Sequence, residues 1–367
     1  GLSTAINERT KRIMAYTTIN KSSSFMNPKI YTGDGNSTQA ITGVGHQPDL
    51  VWLKNRSDST WHQLIDAVRG TGAANTLASN SNEGDGGGST NQYGFISALS
   101  SDGFTVSAGS SNASVVNQNG QNYVAWNWKA NGAGSANTDG SLSSSVSANQ
   151  TSGFSIVTYN GRDATDTIGH GLGAEPSVIL FKCRSNTGSD WYSYWKPLGN
   201  NSTIRLNNTG GTSSPTGLWN TTSPTSSVFT VISSDVINRV GRTFVAYCFA
   251  EKQGYSKFGS YTGNGSTDGT FVYTGFKPSW IIVKKTSGSG SWWMRDNKIA
   301  PYNVASQVLI ANSTGAETSG VGQMDFLSNG FKLRDTTDAS NSSGGSYIYM
   351  AFGQSLVGTN NIPNNAR

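Results

Sequence analysis

Five tryptophans are the residues of this sequence whose chemistry best fits a ligand. Trp61, Trp191, Trp195, Trp292 and Trp293 follow apolar segments and stand among Asn, Asp and Lys residues. Flat aromatic rings beside polar groups suit sugars, whose C–H faces are apolar and whose hydroxyls need partners. The alternative is core packing, which is favoured for Trp61, Trp191 and Trp292 because they recur at a framework position. Trp195 and Trp293 lack a counterpart in every copy and are the better binding candidates.

Three lysines stand at one repeated position, each at the end of an apolar segment: Lys54, Lys182 and Lys284. A lysine there can lay its methylene groups over a core while its ammonium group reaches water or an acid. Asp66 and Asp296 follow two of these lysines at similar distances. The favoured interpretation is a structural ion pair, with ligand binding as the alternative.

Short acidic loops raise the question of a calcium site. They are Asp34-Gly35-Asn36, Glu83-Gly84-Asp85 and the segment from Asn264 to Asp268. Calcium needs six to eight oxygen ligands, several of them carboxylates. These loops carry too few acids, and Asp-Gly and Asn-Gly are common hairpin turns. We therefore predict turns, with no metal and no other cofactor.

The sequence contains no motif that indicates catalysis. His46, His62 and His170 are expected in loops without counterparts in the other copies, and metalloprotease, nucleophile-elbow and phosphate-loop motifs are absent. Two carboxylates from distant loops could still act together, as in glycosidases, but no pair is favoured. The sequence predicts a protein that is not an enzyme.

The two cysteines, Cys183 and Cys248, fall at matching ends of two predicted strands in the middle of the chain. We expect them to lie near each other as free thiols, because so few cysteines fit a reducing place of synthesis better than a disulfide scaffold. Without further Cys or His they indicate no metal.

The repeated tryptophans and lysines belong to a pattern that occurs three times. Each copy has a Tyr-x-Gly motif, a Pro 17 residues after its Tyr, a Gly three residues before that Pro, an apolar run ending at Lys, and a closing aromatic strand. The tyrosines are Tyr31, Tyr159 and Tyr261, the glycines Gly45, Gly173 and Gly275, the prolines Pro48, Pro176 and Pro278, and the closing strands 123–128, 244–249 and 347–352. A run that is apolar at every position predicts a strand covered on both faces.

Composition indicates strands and turns rather than helices. Of 367 residues 45 are Gly and only 13% are charged, and much of the remainder is Asn, Ser and Thr, which compete with the helical backbone for hydrogen bonds. The 10 Trp, 14 Tyr and 14 Phe argue against disorder. We predict an all-β fold of three tandem antiparallel β-sandwiches, jelly-roll or lectin-like, with about eight to ten strands each.

The repeat sets the predicted domain boundaries. We predict an N-terminal arm (1–24), module 1 (25–129), a flexible Gly/Ser/Asn-rich linker (130–145), module 2 (146–252), module 3 (253–355) and a C-terminal tail (356–367). Within the arm, Leu2, Ile6, Ile13 and Met14 could form one face of a short helix, the alternative being a disordered arm.

Charge and hydropathy argue against two classes of partner. The net charge of +5 is spread thinly, with one tight basic run at residues 9–12, whereas a nucleic-acid groove needs clustered cations and stacking aromatics. No segment approaches the roughly 18 apolar residues of a membrane span, and no signal-peptide core is found. We expect no nucleic-acid binding, no membrane insertion, and synthesis in a cytoplasm followed by release through another route.

Longer motifs carry a resemblance to a known family. They lie at residues 14–22, 43–49, 66–70, 123–132, 246–252, 261–265 and 360–363. Over residues 14–367 the sequence resembles a virion protein abundant in marine tailed phages, including those of cyanobacteria. The resemblance implies a structural or tail-associated virion protein, made in the cytoplasm of a bacterial host, and it brings no catalytic residues. Residues 1–13 depart from the pattern.

These observations lead to a phage virion surface protein, a tail fibre or tail-associated adhesin that binds a host-surface glycan. The alternative is a purely structural capsid decoration or fibre protein, and a polysaccharide depolymerase is a third hypothesis. We expect a homo-oligomer in contact with other virion proteins, since repeated weak contacts strengthen fibres and shells.

Overall fold

A computed structural model describes residues 16–88, 90–214 and 217–355, and within them the chain is almost entirely β-structure. Strands account for 40% of residues and helices for 4%, and the paired strands are antiparallel. The prediction of an all-β fold is confirmed. The helical face proposed for Leu2, Ile6, Ile13 and Met14, and the tail at 356–367, lie outside the described residues.

Module 1 is built from two sheets, with strand orders β1-β7-β3-β4 and β2-β6-β5. Its strands are β1 (Met26–Thr32), β2 (Thr38–Thr42), β3 (Leu50–Asn55), β4 (Gln63–Asp66), β5 (Phe95–Ser100), β6 (Gly103–Ser107) and β7 (Asn122–Trp128). Two 3-10 turns, Ser22–Ser24 and Ala73–Asn75, and one short α-helix, α1 (Thr90–Tyr93), accompany them.

Module 2 has a larger first sheet, in the order β14-β13-β12-β16-β10-β9-β8, and a second sheet of β11 and β15. Its strands are β8 (Ser135–Asn137), β9 (Ser144–Asn149), β10 (Phe154–Asn160), β11 (Asp166–Gly169), β12 (Val178–Cys183), β13 (Tyr192–Trp195), β14 (Ile204–Arg205), β15 (Val228–Val231) and β16 (Thr243–Phe249). A 3-10 turn occupies Lys196–Leu198.

Module 3 repeats the two-sheet plan, with orders β17-β24-β19-β20-β21 and β18-β23-β22. Its strands are β17 (Ser256–Thr262), β18 (Phe271–Tyr273), β19 (Pro278–Lys285), β20 (Trp293–Asp296), β21 (Leu309–Ile310), β22 (Met324–Leu327), β23 (Gly330–Leu333) and β24 (Ser346–Gly353). The described parts of the three modules thus contain seven, nine and eight strands, against the eight to ten predicted for each.

The strand pairing is nested in the same way in every module. The first framework strand pairs with the last (β1 with β7, β10 with β16, β17 with β24), and the next pairs with a late strand of the second sheet (β2 with β6, β11 with β15, β18 with β23). Nested pairing of this kind is how a jelly roll divides its strands between two sheets.

The predicted linker is partly a strand extension of module 2. Residues 135–137 form β8 and β9 begins at Ser144, so the segment 130–145, expected to be flexible, adds an edge to the sheet. The prediction failed because Ser and Asn are rare in strands by propensity, whereas an edge strand needs only backbone partners and one covered face.

The first sheet of each module is covered on both faces. Every residue of β3 and β12, and all but the last residue of β19, is buried, as their unbroken apolar runs predict. One face packs on the module's own second sheet. The other face packs into a single hydrophobic cluster to which all three modules contribute.

That shared cluster has three equivalent aromatic residues at its centre. Trp128 and Phe249 are the last residues of β7 and β16, and Phe352 is the last but one of β24. Each pairs across its sheet with the residue two positions after the repeated Pro, which is the first apolar residue there. Their ring centroids lie 6.4, 5.8 and 6.0 Å apart, with interplanar angles near 70°. The three rings therefore mark a pseudo-threefold axis around which the modules are arranged.

The Tyr-x-Gly motif is a clasp that ties the first strand to a loop of the same module. The hydroxyl groups of Tyr31, Tyr159 and Tyr261 donate to the carbonyl oxygens of Val116, Ile237 and Ser340. In each module the residue after this acceptor is a buried Asn: Asn117, Asn238 or Asn341. Its side-chain amide oxygen accepts a hydrogen bond from the backbone N–H of the residue that follows the motif's Gly.

The repeated glycines are required by close approach and by backbone conformation. A Cβ atom at Gly33 would collide with the carbonyl oxygen of Gln118, and the equivalent collisions occur at Gly161 and Gly263. Gly45, Gly173 and Gly275 have φ values of 87°, 66° and 83°, in the left-handed region that glycine adopts without strain.

We predict that Phe352→Ala destabilises all three modules at once. The substitution removes one of the three axial rings, and truncation of a buried Phe lowers the free energy of unfolding by about 3–5 kcal/mol. Denaturant titration followed by tryptophan fluorescence and by far-UV circular dichroism should give one coincident transition, shifted to lower denaturant. Val240→Ala, at a side chain that is 60% exposed, is the matched control and should shift it little. Separate transitions for separate modules would contradict a shared core.

Candidate functional site

Three of the five candidate tryptophans are completely buried in the shared core. Trp191, Trp195 and Trp292 have exposed fractions of 0%, 1% and 1%. Trp195 and Trp292 pack against each other with centroids 5.6 Å apart, and Trp191 stacks on Tyr247 at 6.2 Å. Their ring faces are covered by protein, so the structure places all three in packing positions, including Trp195, which the sequence favoured for binding.

Trp61 and Trp293 are half-buried and lie at different places. The Trp61 ring covers Gly88 within module 1, where a Cβ atom would meet the ring. Trp293 begins β20, and its ring lies over the guanidinium group of Arg295, 5.3 Å from the ring centroid. The structure brings neither residue into contact with the other, and stacking of a sugar on either one stays a prediction.

In module 1 the residue equivalent to Trp191 and Trp292 is His62, not Trp61. The backbone N–H groups of Trp191 and Trp292 donate to the side-chain oxygens of Asn207 and Asn312. In module 1 the same bond runs from His62 N to Asn80. The expectation that His62 has no counterpart is wrong. The distance from the repeated Pro to this position varies by a residue or two between the copies, so the sequence comparison matched Trp191 and Trp292 with Trp61, the neighbour of His62.

These three side chains join the modules in a closed ring. The indole N–H of Trp191 donates to Ala78 O (2.9 Å) and that of Trp292 donates to Arg205 O (2.8 Å). His62 Nε2 lies 3.0 Å from Ile310 O. Module 2 thus contacts module 1, module 3 contacts module 2, and module 1 contacts module 3, all through equivalent atoms. We call these contacts seams 1–2, 2–3 and 3–1.

The tautomer of His62 follows from its two partners. Trp52 Nε1 can only donate, and it lies 2.9 Å from His62 Nδ1, so Nδ1 accepts and Nε2 carries the hydrogen given to Ile310. Burial lowers the pKa of His62 to about 3, with the nearby Lys54 as a smaller cause. The ring is therefore a neutral hydrogen-bonding group and not an acid–base catalyst at physiological pH.

The three repeated lysines are buried among carbonyl oxygens, and the predicted ion pairs with Asp66 and Asp296 do not form. Each lysine is 0% exposed. Its ammonium group donates to the next residue's carbonyl oxygen, at 2.6, 3.1 and 2.9 Å for Lys54, Lys182 and Lys284. Other acceptors lie in the loop that follows: Asp58 O, Ser189 O and Gly290 O.

Two of these lysines also reach across a seam. Lys182 donates to Asn82 O in module 1 (3.4 Å), and Lys284 donates to Thr209 O in module 2 (3.1 Å). Since carbonyl oxygens carry only partial charge, burial dominates and lowers the lysine pKa values to about 7 for Lys54 and about 8 for the other two. The lysines therefore hold the loop ends together, and because they are buried they are not accessible to a ligand.

Asp66 and Asp296 instead accept hydrogen bonds from another module. Tyr247 of module 2 donates to Asp66 (2.7 Å), which also pairs with Arg69 of its own module (2.5 Å). Trp126 of module 1 donates to Asp296 (2.8 Å).

At seam 2–3 the positions equivalent to this donor and this acceptor are both occupied by largely apolar side chains. By strand register Trp195 occupies the Asp66 position in module 2, and Met350 occupies the Trp126 position in module 3. Both belong to the shared core. Donor and acceptor have been replaced together, so no buried polar group is left unpaired there.

The outer ends of the seams carry ion pairs in two cases out of three. The backbone N–H groups of Asp85, Thr212 and Glu317 donate to Arg184 O, Thr286 O and Arg56 O. At seam 1–2 Arg184 pairs with Asp85 (2.8 Å), and at seam 3–1 Arg56 pairs with Glu317 (2.6 Å). Seam 2–3 has the two threonines instead. An open groove of about 380 Å³, lined by residues 83–87 and 184–187, lies over seam 1–2.

Arg295 is a buried cation without a hydrogen-bond partner among the described residues. It is 1% exposed, and its three nitrogen atoms have no acceptor. It lies on β20 opposite Ile281, and the register-equivalent residues of the other modules are Ile65 and Tyr194. Burial lowers the pKa of Arg295 to about 10. Its contact with the Trp293 ring and the attraction of the nearby Asp335 carboxylate offset part of the cost of burying the charge.

The remaining predicted features serve local structure. Asp34 accepts hydrogen bonds from Asn36 N and from the buried Asn117, and Asn264 makes the equivalent turn in module 3. Within the described residues no three His, Cys, Asp or Glu side chains are grouped as metal ligands would be. Cys183 and Cys248 are buried free thiols on the neighbouring strands β12 and β16, as predicted. The expectation that they lie near each other is wrong, because the strands are antiparallel: Cys183 stands opposite Phe244 and Cys248 opposite Ile179, four positions apart in the register.

Comparisons with known proteins give one match. A family model described as a domain of unknown function (DUF7483) matches residues 21–355. No curated protein and no solved structure matches the chain. Among the described residues no helix has both the length and the apolar content to cross a bilayer.

The lysine clamps predict that the protein gains stability as the pH rises from 7 to 8.5. The folded-state pKa values of about 7 and 8 lie below the usual lysine value of about 10.5, so the unfolded chain binds more protons in this window. Free energies of unfolding measured at intervals of pH should show a positive slope.

In Lys182→Met that slope should decrease by up to about 1 kcal/mol per pH unit, whatever the change in absolute stability. Lys196→Met is the control, because that side chain is 54% exposed and is solvated in both states. An unchanged slope in Lys182→Met, or a stability that falls from pH 7 to 8.5, would contradict the lysine assignment.

For Arg295 we predict that substitution by Met increases stability. The change removes an unpaired buried charge and puts an apolar side chain where modules 1 and 2 have Ile65 and Tyr194. We expect the free energy of unfolding to rise by on the order of 1 kcal/mol. Arg69→Met is the contrasting variant, since Arg69 is buried but pairs with Asp66 and Asp85, and it should destabilise. A destabilised Arg295→Met would show that this guanidinium group has a stabilising partner.

Proposed function

This chain belongs to the DUF7483 family, and we propose that it is a surface protein of a tailed-phage particle that binds a host-surface glycan. The proposal assigns recognition and no catalytic step. It places the protein in the virion, after synthesis in the cytoplasm of the bacterial host, and in contact with other virion proteins and further copies of itself.

The observation that carries the proposal is the closed ring of three modules on one core. The first sheets face inward, and the aromatic side chains on their inner faces are buried in the core around Trp128, Phe249 and Phe352. The second sheets (β2-β6-β5, β11-β15 and β18-β23-β22) are consequently held at fixed positions on the outside. A rigid scaffold that presents several outward sheets is suited to recognition, because little conformational entropy is lost on binding.

Support for a virion location comes from the resemblance of the sequence to phage virion proteins. The motif at 123–132 covers most of the closing strand β7, and the motif at 246–252 covers the second half of β16. Their side chains alternate between the shared core and the core of their own module. The resemblance therefore includes residues that build the ring. The choice of a glycan as ligand depends on the exposed side chains and not on this resemblance.

A purely structural role is the second candidate, and the buried tryptophans favour it. Trp191, Trp195 and Trp292, which were candidates for sugar stacking, support the ring instead. A capsid decoration or a fibre would need such a rigid unit and no ligand. In that case the outward sheets would contact neighbouring subunits.

The proposal is tested with the purified full chain on an array of bacterial surface polysaccharides. Retention on one or more of them is expected, with no release of reducing ends, and Phe352→Ala, whose ring is disrupted, should be retained less. Absence of retention on every polysaccharide, together with assembly of the pure protein into ordered shells or fibres, would favour the structural role. Release of reducing ends would instead identify a depolymerase.

A further inference from the structure

The second sheet of module 3 has an outward face that combines bare aromatic rings with charged side chains. Val272, Phe331 and Leu333 of this sheet point into the module core, so their strand neighbours point outward. The outward residues are Phe271 and Tyr273 on β18, Gly330 and Lys332 on β23, Arg334 just after β23, and Asp325 on β22. We call this set the module 3 outward face.

The aromatic residues of this face are accessible. Phe271 is 44% exposed and Tyr273 is 60% exposed. Tyr273 stands opposite Gly330, which has no side chain to cover the ring. Phe271 stands opposite Lys332, and its ring edge lies beside Gly330. Two side chains of one strand, two residues apart, thus present adjacent rings to solvent.

Tyr16 extends the aromatic surface at one end. It is 49% exposed, and its hydroxyl group donates to Gly275 O (2.7 Å), two residues after Tyr273. Partial burial raises the pKa of Tyr16, and a hydrogen bond with Tyr273 adds to the effect. The three rings therefore form one group.

The charged side chains of the face are arranged as balanced pairs. Lys332 pairs with Asp268 (2.6 Å), and Arg334 pairs with Asp325 (2.5 Å) and more distantly with Asp268 (3.7 Å). Two cations and two anions leave no net charge. Asp268 is 81% exposed, so its carboxylate and the Lys332 ammonium group can exchange their mutual bond for ligand hydroxyls.

At the equivalent positions of the other two modules, all of which the structure describes, there are no aromatic residues. In module 1 the positions equivalent to Phe271 and Tyr273 by strand register are occupied by Ala40 and Thr42. In module 2 they are occupied by Thr167 and Gly169. The aromatic face is therefore a property of module 3 and not a requirement of the repeated fold.

We infer that the module 3 outward face binds an uncharged polysaccharide, with sugar rings stacked on Tyr273 and Phe271. Lys332, Asp268 and Arg334 would exchange hydrogen bonds with the sugar hydroxyls beside the rings. Balanced charge gives a polyanion no attraction, and the apolar part is limited to three rings between ion pairs, which is small for a stable protein–protein contact. The inference rests on the proposed glycan recognition and locates it.

Affinity electrophoresis of the full chain tests the assignment. Native gels contain dissolved dextran, a soluble β-glucan, or alginate as the anionic comparison. Retardation is expected in a gel with an uncharged polysaccharide and not in the alginate gel. Phe271→Ala/Tyr273→Ala should weaken the binding at least tenfold, and Tyr273→Ser alone should weaken it to an intermediate degree. Tyr93→Ala is the control, since Tyr93 is a partly exposed tyrosine of module 1.

Each other outcome overturns the inference in a distinguishable way. Equal retardation of the double variant and the unsubstituted protein would place the glycan site elsewhere and leave the proposed function standing. Retardation by alginate alone would overturn the uncharged class of ligand. No retardation in any gel, in a protein that the polysaccharide array also fails to retain, would remove both proposals. A change of oligomeric state in the double variant would identify the face as a subunit contact.

Discussion

Burial of aromatic rings between the three first sheets is the constraint on which the rest of this structure depends. Each module is a two-sheet unit whose first sheet has apolar residues on both faces, so one face would meet water if the module stood alone. The ring covers all three of these faces at once. Because each module needs the other two, the seams are as necessary to the fold as the sandwich cores. The indole N–H groups of Trp191 and Trp292 are paired across the seams, whereas those of Trp128 and Trp280 in the shared cluster have no hydrogen-bond partner among the described residues.

The sequence predicted the parts of the fold that leave an unbroken or periodic apolar signal. The buried strands after the repeated prolines and the closing aromatic strands were found within one or two residues. The ring itself was not predicted. A strand that is buried on both faces has the same unbroken apolar sequence whether its second face packs against its own module or against another one. The strand β8 was missed since its Ser and Asn side chains carry no apolar pattern.

The candidate site was predictable to a smaller extent, for reasons that lie in the chemistry of the partners. The lysine acceptors are backbone carbonyl oxygens, which any residue supplies, so sequence reasoning assigned the aspartates instead. His62 was separated from its true equivalents by a slip of one residue. Phe271 and Tyr273 carried an alternating pattern in a three-residue strand, and a signal that short is hidden among other aromatic residues until the burial of each is known.

The aromatic face on one module of three has a consequence for valence. Three identical subunits in a ring would display such a face three times or not at all, and the spacing of those copies would be fixed by the ring. Joining the modules in one chain lets each outward sheet diverge alone, so a single ring displays one face. For the glycan binding proposed above, the number and spacing of ligand contacts would be decided by how copies of the ring are arrayed, and weak individual contacts would gain their strength from that array.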